Sequence, residues 1–245
     1  MPNYNKDKYI RGAIDSVINQ KYKNWKLLII DGNSTDNSVE ILKDYEIRHD
    51  NIKVIYLPKR KNVSFARNLG IRLSTGKYIS FLDSDDYWSN DKLNEQIDFM
   101  ENNNYKFTYT DYKPFITKNN NKIFKKEVIA PSSFTCNQFI NNTSIATSSV
   151  IINKSIIGTI KCPNVDILED YPFKYKILEK GFIANKFNSV SMFYRISKDS
   201  LQSNKFRNIY WLWKINKKYI RLSFLKNFIS ILMISFNSIK KYGFK

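Results

Sequence analysis

Three short apolar runs, at residues 25–30, 52–57 and 78–82, alternate with segments whose apolar residues recur at helical spacing. A strand, an amphipathic helix and another strand form the repeating unit of a parallel sheet with helices on its faces. Ile10, Ala13, Ile14, Val17 and Ile18 mark a helix over residues 6–20. Asp36 or Ser38 supplies a cap for the next helix, running to residue 50. Residues 64–73 form a third, with Gly76 as its terminator. The expected fold is α/β, with a Rossmann-like, mainly parallel central sheet flanked by helices. At 245 residues the chain is long enough to bury one such core.

The second half is less regular. Residues 107–112 read as a strand, 118–122 as an exposed turn, 148–152 as β-like, 166–180 as a helix and 187–195 as extended chain.

In open sheets of this kind, ligands bind outside the carboxyl ends of the strands. Asp31 and Asp83 both stand at such ends. Asp83-Ser84-Asp85-Asp86 crowds three carboxylates into four residues, and they repel unless a cation or hydrogen-bond donors offset their charge. Two readings follow. A hard divalent ion takes oxygen ligands and bridges to phosphates, whereas a helix N-terminus favours acidic residues in its first turn.

The net charge of +18 favours polyanionic partners, although heavy use of Lys, Asn and Ile accounts for part of it. Its distribution is more informative: residues 200–245 contain ten Lys and Arg and no Asp or Glu. Within them Leu225, Phe228, Ile229, Leu232, Phe236 and Ile239 share one helical face, opposite Ser223, Asn227, Ser230, Asn237 and Lys241. This pattern suits a helix lying in an anionic membrane interface, or one packed on the preceding domain. Lys226, Asn227 and Asn237 argue against a spanning helix. Residues 204–245 are thus read as a basic amphipathic extension to a domain over 1–203. Cys136 and Cys162 show no metal or redox spacing, and no apolar leader opens the chain. A cytoplasmic location at the inner face of the membrane is expected.

Four segments occur in order: Met-Pro-Asn-Tyr-Asn at 1–5, Ile-Ile-Asp-Gly-Asn-Ser-Thr-Asp at 29–36, Ala-Arg-Asn-Leu-Gly-Ile at 66–71, and Gly-Lys-Tyr-Ile-Ser-Phe-Leu-Asp-Ser-Asp-Asp at 76–86. Together they closely resemble family 2 glycosyltransferases of the GT-A fold, bacterial surface-polysaccharide type. The resemblance is strong over the first hundred residues and continues through Leu168-Glu169-Asp170 and Tyr194-Arg195 to about residue 203. It implies a nucleotide-sugar donor, expected to be UDP-linked, a glycan or lipid-linked acceptor, and Mn²⁺ or Mg²⁺. Pro2 and Tyr4 match the motif that packs on the donor base, and Asp31 the acid that hydrogen-bonds it. Arg67 matches a position near the nucleotide, where a guanidinium offsets diphosphate charge. Asp83 and Asp85 match the DXD motif, with Asp85 as principal metal ligand and Asp83 facing ribose or metal. Asp170 matches the general base of inverting transfer, with Glu169 as fallback, although Pro172 close by also suits Asp170 as a helix cap. The lesser readings are core packing for Tyr4 and an exposed helix charge for Arg67.

Two departures from the family stand out. The His that often follows the Tyr-Arg pair is replaced by Ser197, with Arg195 or Lys198 as possible substitutes, while the sole His, His49, reads as an ordinary surface residue. The apolar strand that precedes the Pro-x-Tyr-Asn segment is lacking, so the first strand is expected to be missing, and a truncated or weakly active glycosyltransferase-like protein is the alternative reading. A nucleic-acid-binding reading is disfavoured, because the ordered acidic motifs would repel phosphate; no nucleic-acid partner is expected.

Overall fold

The computed structural model describes residues 1–119, 121–165, 167–197 and 205–242. The expected boundary at 203–204 lies outside them, as do Asp166 and Lys198.

The alternation read from the sequence becomes β1 (Pro2–Asn3), α1 (Asp7–Ile18), β2 (Leu27–Asp31), α2 (Ser38–Arg48), β3 (Ile52–Tyr56), α3 (Val63–Leu73) and β4 (Tyr78–Ser80). The first three strands pair in parallel, β1-β2-β3, with Asn3 opposite Asp31 and Asp31 opposite Tyr56. Of the first strand, two residues therefore take their place on β2, and the Ile30 N–H donates to the Met1 carbonyl at 2.9 Å. Asp36 organises the entry to α2, accepting from the Ser38 N–H through one oxygen and from the Asp7 N–H through the other. Helix α3 is capped by the Asn62 side chain, which accepts from the Phe65 N–H. It ends at Ser74 rather than at Gly76, because the Ser74 hydroxyl and N–H satisfy the last-turn carbonyls of Ile71 and Gly70.

There follow β5 (Tyr87–Trp88), α4 (Lys92–Asn102), β6 (Phe107–Lys118), β7 (Asn121–Phe124), β8 (Ser133–Phe134), α5 (Cys136–Phe139), β9 (Ile151–Asn153), α6 (Lys154–Ile157), α7 (Asp170–Glu179) and β10 (Ala184–Arg195). They build, with β4, a second sheet of order β4-β9-β6-β10-β5, with β7 on β6 and β8 on β10. Strands β6 and β10 run parallel, and the other described pairings of this sheet are antiparallel. The hairpin with β7 extends β6 past Tyr112 to Lys118. Residues 148–152 are not a uniform strand. Thr147–Ser149 forms a 3-10 turn, closed by the Ser149 N–H and hydroxyl on the Ala146 carbonyl, and the strand starts at Ile151. Helix α7 starts at Asp170 rather than 166, because Leu168 takes a left-handed φ of +59° that no α-helix continues.

Ile10, Ile14, Ile29, Leu42 and Val54 centre a core between α1, α2 and the three-stranded sheet. Phe107, Tyr109, Ile152, Phe173 and Ile177 centre another beneath the second sheet, extended by Leu212 and Ile215. These last two belong to α8 (Lys205–Ile215), which runs into a π turn at Asn216–Ile220 and, past the left-handed Arg221, leads to α9 (Phe224–Tyr242). The extension is helical, as expected, but α9 turns its polar stripe toward the domain.

Lys92, first residue of α4, is fully buried; its amine lies 4.3 Å from the Trp88 ring centroid and has no hydrogen-bond partner. Burial pulls its pKa from 10.5 down to about 7. The unfolded chain therefore binds this proton more tightly between those values, so the penalty grows as pH falls from 10.5 and is complete below 7. Lys92→Met is expected to raise stability at pH 6 by roughly 1–2 kcal/mol, with a smaller gain at pH 9.5. Urea midpoints at the two pH values check this. An equal gain at both would mean that the amine does not titrate in that interval.

Candidate active site

The site begins where β2 ends. Asp31 is buried; one oxygen accepts from Asn3 Nδ2 at 2.8 Å and the Ser34 hydroxyl at 2.6 Å, the other from the Ser34 N–H at 2.9 Å. These bonds fix the loop after β2 to the chain after β1. Gly32 permits the close approach, since a Cβ there would stand 3.3 Å from the Asn3 carbonyl and 3.6 Å from the Tyr4 ring. Tyr4 is half-buried, and the Arg60 guanidinium lies 4.3 Å from its ring centroid. Pro2, Tyr4 and Asp31 thus lie close together where β1 and β2 end.

The acidic segment after β4 folds into a turn, in which the Asp86 N–H donates to the Asp83 carbonyl at 3.0 Å. Its three carboxylates diverge. Asp86 points inward, accepting from the Ser148 hydroxyl at 2.8 Å and the Arg195 N–H at 2.9 Å. Burial, and then the charges of Asp85 and Asp83, push its pKa well above the usual carboxylate range. Asp83 and Asp85 remain partly exposed, at 34% and 22%. Asp83 accepts from Arg67 Nη2 at 2.6 Å, and Asp85 from Lys6 Nζ at 2.7 Å. The Arg195 guanidinium, seated against the rings of Tyr9 and Phe115, donates from Nε to the Asp85 carbonyl at 3.0 Å.

Arg67 projects from α3, its side chain only 5% exposed, and ties the two halves of the protein together. One terminal nitrogen holds Asp83; the other holds Glu169, which is buried just before α7. The guanidinium expected near the diphosphate is therefore committed to two carboxylates, and it is buried rather than an exposed helix charge. The left-handed Leu168 makes the turn that delivers Glu169 and Asp170 to this point. Asp170 accepts from Lys174 Nζ at 2.6 Å and the Thr147 hydroxyl at 2.5 Å. Burial raises its pKa, but Lys174, Arg67 and these hydrogen bonds outweigh burial and hold the carboxyl well below the usual range.

Six residues of this network were not on the sequence's list of site groups: Lys6, Asp86, Thr147, Ser148, Lys174 and, in this role, Arg195. Lys174 carried one signal, standing four residues after Asp170 on a helix. Thr147 and Ser148 carried none, being two of several hydroxyls between residues 143 and 149. His49 half-buries against Tyr45 at the end of α2, with ring centroids 6.1 Å apart, and takes no part in the network.

The donor set suits a divalent cation only in a particular way. Among the described residues no group of three His, Cys, Asp or Glu side chains gathers to hold a metal. Asp83 and Asp85 offer hard, partly exposed carboxylate oxygens, enough for an ion whose remaining ligands are phosphate and water. They fit a metal shared with a diphosphate rather than one caged by protein.

Comparison with known proteins bears on this geometry. Residues 1–160 match the family model for glycosyl transferase family 2. A Bacillus subtilis protein with the provisional name teichuronic acid biosynthesis glycosyltransferase TuaG is 32% identical over 240 residues, covering 98% of this chain and 94% of that one. The Escherichia coli UDP-Glc:alpha-D-GlcNAc-diphosphoundecaprenol beta-1,3-glucosyltransferase WfgD is 35% identical over 208 residues, covering 82% and 77%. The mannosyltransferase PcManGT from Pyrobaculum calidifontis, solved with GDP-Man and Mn²⁺, superposes with a TM-score of 0.70 at 14% identity, covering 100% of this chain and 74% of that one. The chain belongs to glycosyl transferase family 2, and its α/β architecture is the GT-A fold.

Proposed function

We propose that this family 2 glycosyltransferase transfers a sugar from a UDP-sugar, with inversion and metal assistance, to a lipid-linked or glycan acceptor in surface-polysaccharide synthesis. It would work as a peripheral enzyme at the inner face of the cytoplasmic membrane. The observation that carries the reading is Arg67 bridging Asp83 and Glu169, which joins one carboxylate of the acidic turn to the segment that carries Asp170. WfgD, named for UDP-glucose and a diphosphoundecaprenol acceptor, supports the donor and acceptor classes.

The base of the donor would lie on the wall of Pro2, Tyr4 and Asp31. Asp31 spends its carboxylate on Asn3 and Ser34, so it holds that wall in shape as well as facing the base. A divalent cation, held by Asp85 with Asp83, would offset the charge growing on the departing diphosphate. Lys6 lies on Asp85 and would turn to the phosphates as the donor arrives. Arg195 anchors the backbone of Asp85. Arg67 fixes the aim of Asp83. Asp170 would take the proton of the acceptor hydroxyl as that oxygen attacks the anomeric carbon.

Calorimetric titration with UDP-glucose, UDP-GlcNAc and GDP-mannose, with Mn²⁺ or with EDTA, tests the donor side. One UDP-sugar is expected to bind at least about tenfold tighter with Mn²⁺, and Asp85→Ala to lose that gain. Binding that ignores both metal and the substitution would overturn the role of Asp85.

A further inference from the structure

The outer face of α9 is built the wrong way round for a helix that merely completes a core. A surface helix ordinarily buries its apolar stripe and shows its polar one. Here Asn227 and Ser230 are buried, with Ile231 and Ile234 packed beside them on the core, while Phe224, Leu225, Phe228, Leu232 and Phe236 are between 49% and 76% exposed. The orientation is fixed by specific bonds. Asn216 Nδ2 donates to Asn227 Oδ1 at 2.9 Å and to the Ser230 hydroxyl at 3.2 Å, while its Oδ1 accepts from the Tyr171 hydroxyl at 3.1 Å. Ser230 donates to the Ile140 carbonyl at 2.5 Å, and Asn237 Nδ2 to the Asn141 carbonyl at 3.0 Å. Rolling the helix to hide its apolar side would strip these bonds from Asn216 and from the Ile140 and Asn141 carbonyls beneath it.

Helix α8 continues the outward face. Phe206 and Tyr210 are 86% and 55% exposed, and Trp213 meets Phe224 edge-on with ring centroids 5.3 Å apart. The fringe is cationic: Lys214, Lys217, Lys218 and Lys226 are exposed, and residues 200–245 contain no acid. Among the described residues no helix is long and apolar enough to cross a membrane. Two copies of so basic a face would repel each other, whereas an anionic bilayer satisfies both its charge and its apolar side chains.

We infer that the outward face of α8 and α9 is a docking surface that seats the enzyme on anionic lipid, with the acceptor side of the active site held next to the bilayer. The second part follows from connectivity. The inner stripe of α9 rests on Ile140 and Asn141, and the same segment runs on to Ile145 and Thr147, which contact Lys174 and Asp170. At its far end Lys241 lies within the electrostatic reach of Lys174, the partner of Asp170. A lipid-borne acceptor hydroxyl would thus approach Asp170 from the side on which the helix meets the membrane. This deepens the membrane placement proposed above and is read without donor or acceptor, so its failure would leave the transfer reaction untouched.

The test is co-sedimentation of the full chain with vesicles of phosphatidylcholine alone or with one-third phosphatidylglycerol. Binding is expected to be at least about tenfold tighter to the anionic vesicles and to weaken in 0.5 M NaCl. Phe228→Ser/Leu232→Ser/Phe236→Ser should lower it at least about tenfold with an unchanged melting temperature, because all three side chains already face solvent. Lys214→Gln/Lys217→Gln/Lys218→Gln should remove most of the preference for anionic lipid. Unchanged vesicle binding by the apolar triple variant would overturn the assignment. So would wild-type protein that ignores vesicles but forms a dimer in sedimentation equilibrium that the triple variant loses, since a second copy would then own the face.

Discussion

Arg67→Met is expected to lower stability by about 3–5 kcal/mol, a large share of the 5–15 kcal/mol that ordinarily holds a domain folded. The size comes from what the substitution leaves behind. Glu169, whose side chain is 6% exposed, would keep a carboxylate in the interior with its cation gone. Asp83, at 34%, can turn to water and suffers less. Methionine fills most of the same space, so the loss is electrostatic rather than a cavity. Arg67→Lys should be nearly as damaging, because one ammonium cannot replace the two arms that reach Asp83 and Glu169 separately. The pairing makes a sharper prediction still: Arg67→Met/Glu169→Gln should recover at least half of the loss, since a buried pair removed as a whole costs little. Urea midpoints of the three variants decide it. If Arg67→Met and the double variant are equally unstable, the penalty does not arise from an orphaned Glu169.

Much of this site was legible in the sequence because strand ends are legible. An apolar run stopped by Asp31, and another by Asp83, put a carboxylate after each of two strands; the structure keeps Asp31 at the end of β2 and sets Asp83 in the turn after β4, on a second sheet. What could not be read was where each charged side chain spends its charge. Arg67 looks on paper like a residue for phosphate, and only the folding of α7 against α3 shows that Glu169 and Asp83 claim it. Asp86 sits in the same cluster as Asp83 and Asp85, yet Ser148 and the backbone of Arg195 draw it inward. Those partners lie 62 and 109 residues away, beyond any local pattern. Helix α9 shows the same limit from the opposite direction. Periodicity gave its two faces correctly, but which face meets the domain depended on Asn216, Ile140 and Asn141, none of which belongs to the helix.

The larger kinetic effect is expected at Asp170. Asp170→Asn should reduce kcat roughly 10²–10⁴-fold while donor affinity stays within about threefold, because asparagine keeps the shape and loses only the proton acceptor. The change also removes the first-turn charge that pairs with Lys174, so turnover alone does not separate a capping acid from a base. Lys174 does. With Lys174 and Arg67 near it, Asp170 has a pKa held below the usual range, so it stays ionised throughout neutral and mildly acid solution. The acid limb of kcat/KM in the wild type therefore should not come from Asp170 above pH 4. Lys174→Met removes the strongest influence opposing burial, and the Asp170 pKa should climb toward or above the ordinary carboxylate value. Two consequences follow with opposite signs. Below the new pKa the carboxyl is protonated and activity falls, so an acid limb should move up into the measurable range. Above it the carboxylate is a stronger base, and the plateau should fall much less than in Asp170→Asn. A carboxylate that only caps α7 predicts altered stability with a pH profile of unchanged shape. Profiles of kcat/KM from pH 4.5 to 9 for wild type and Lys174→Met, corrected for the folded fraction by circular dichroism, distinguish the two, and an acid limb that does not move would remove Asp170 from the chemistry.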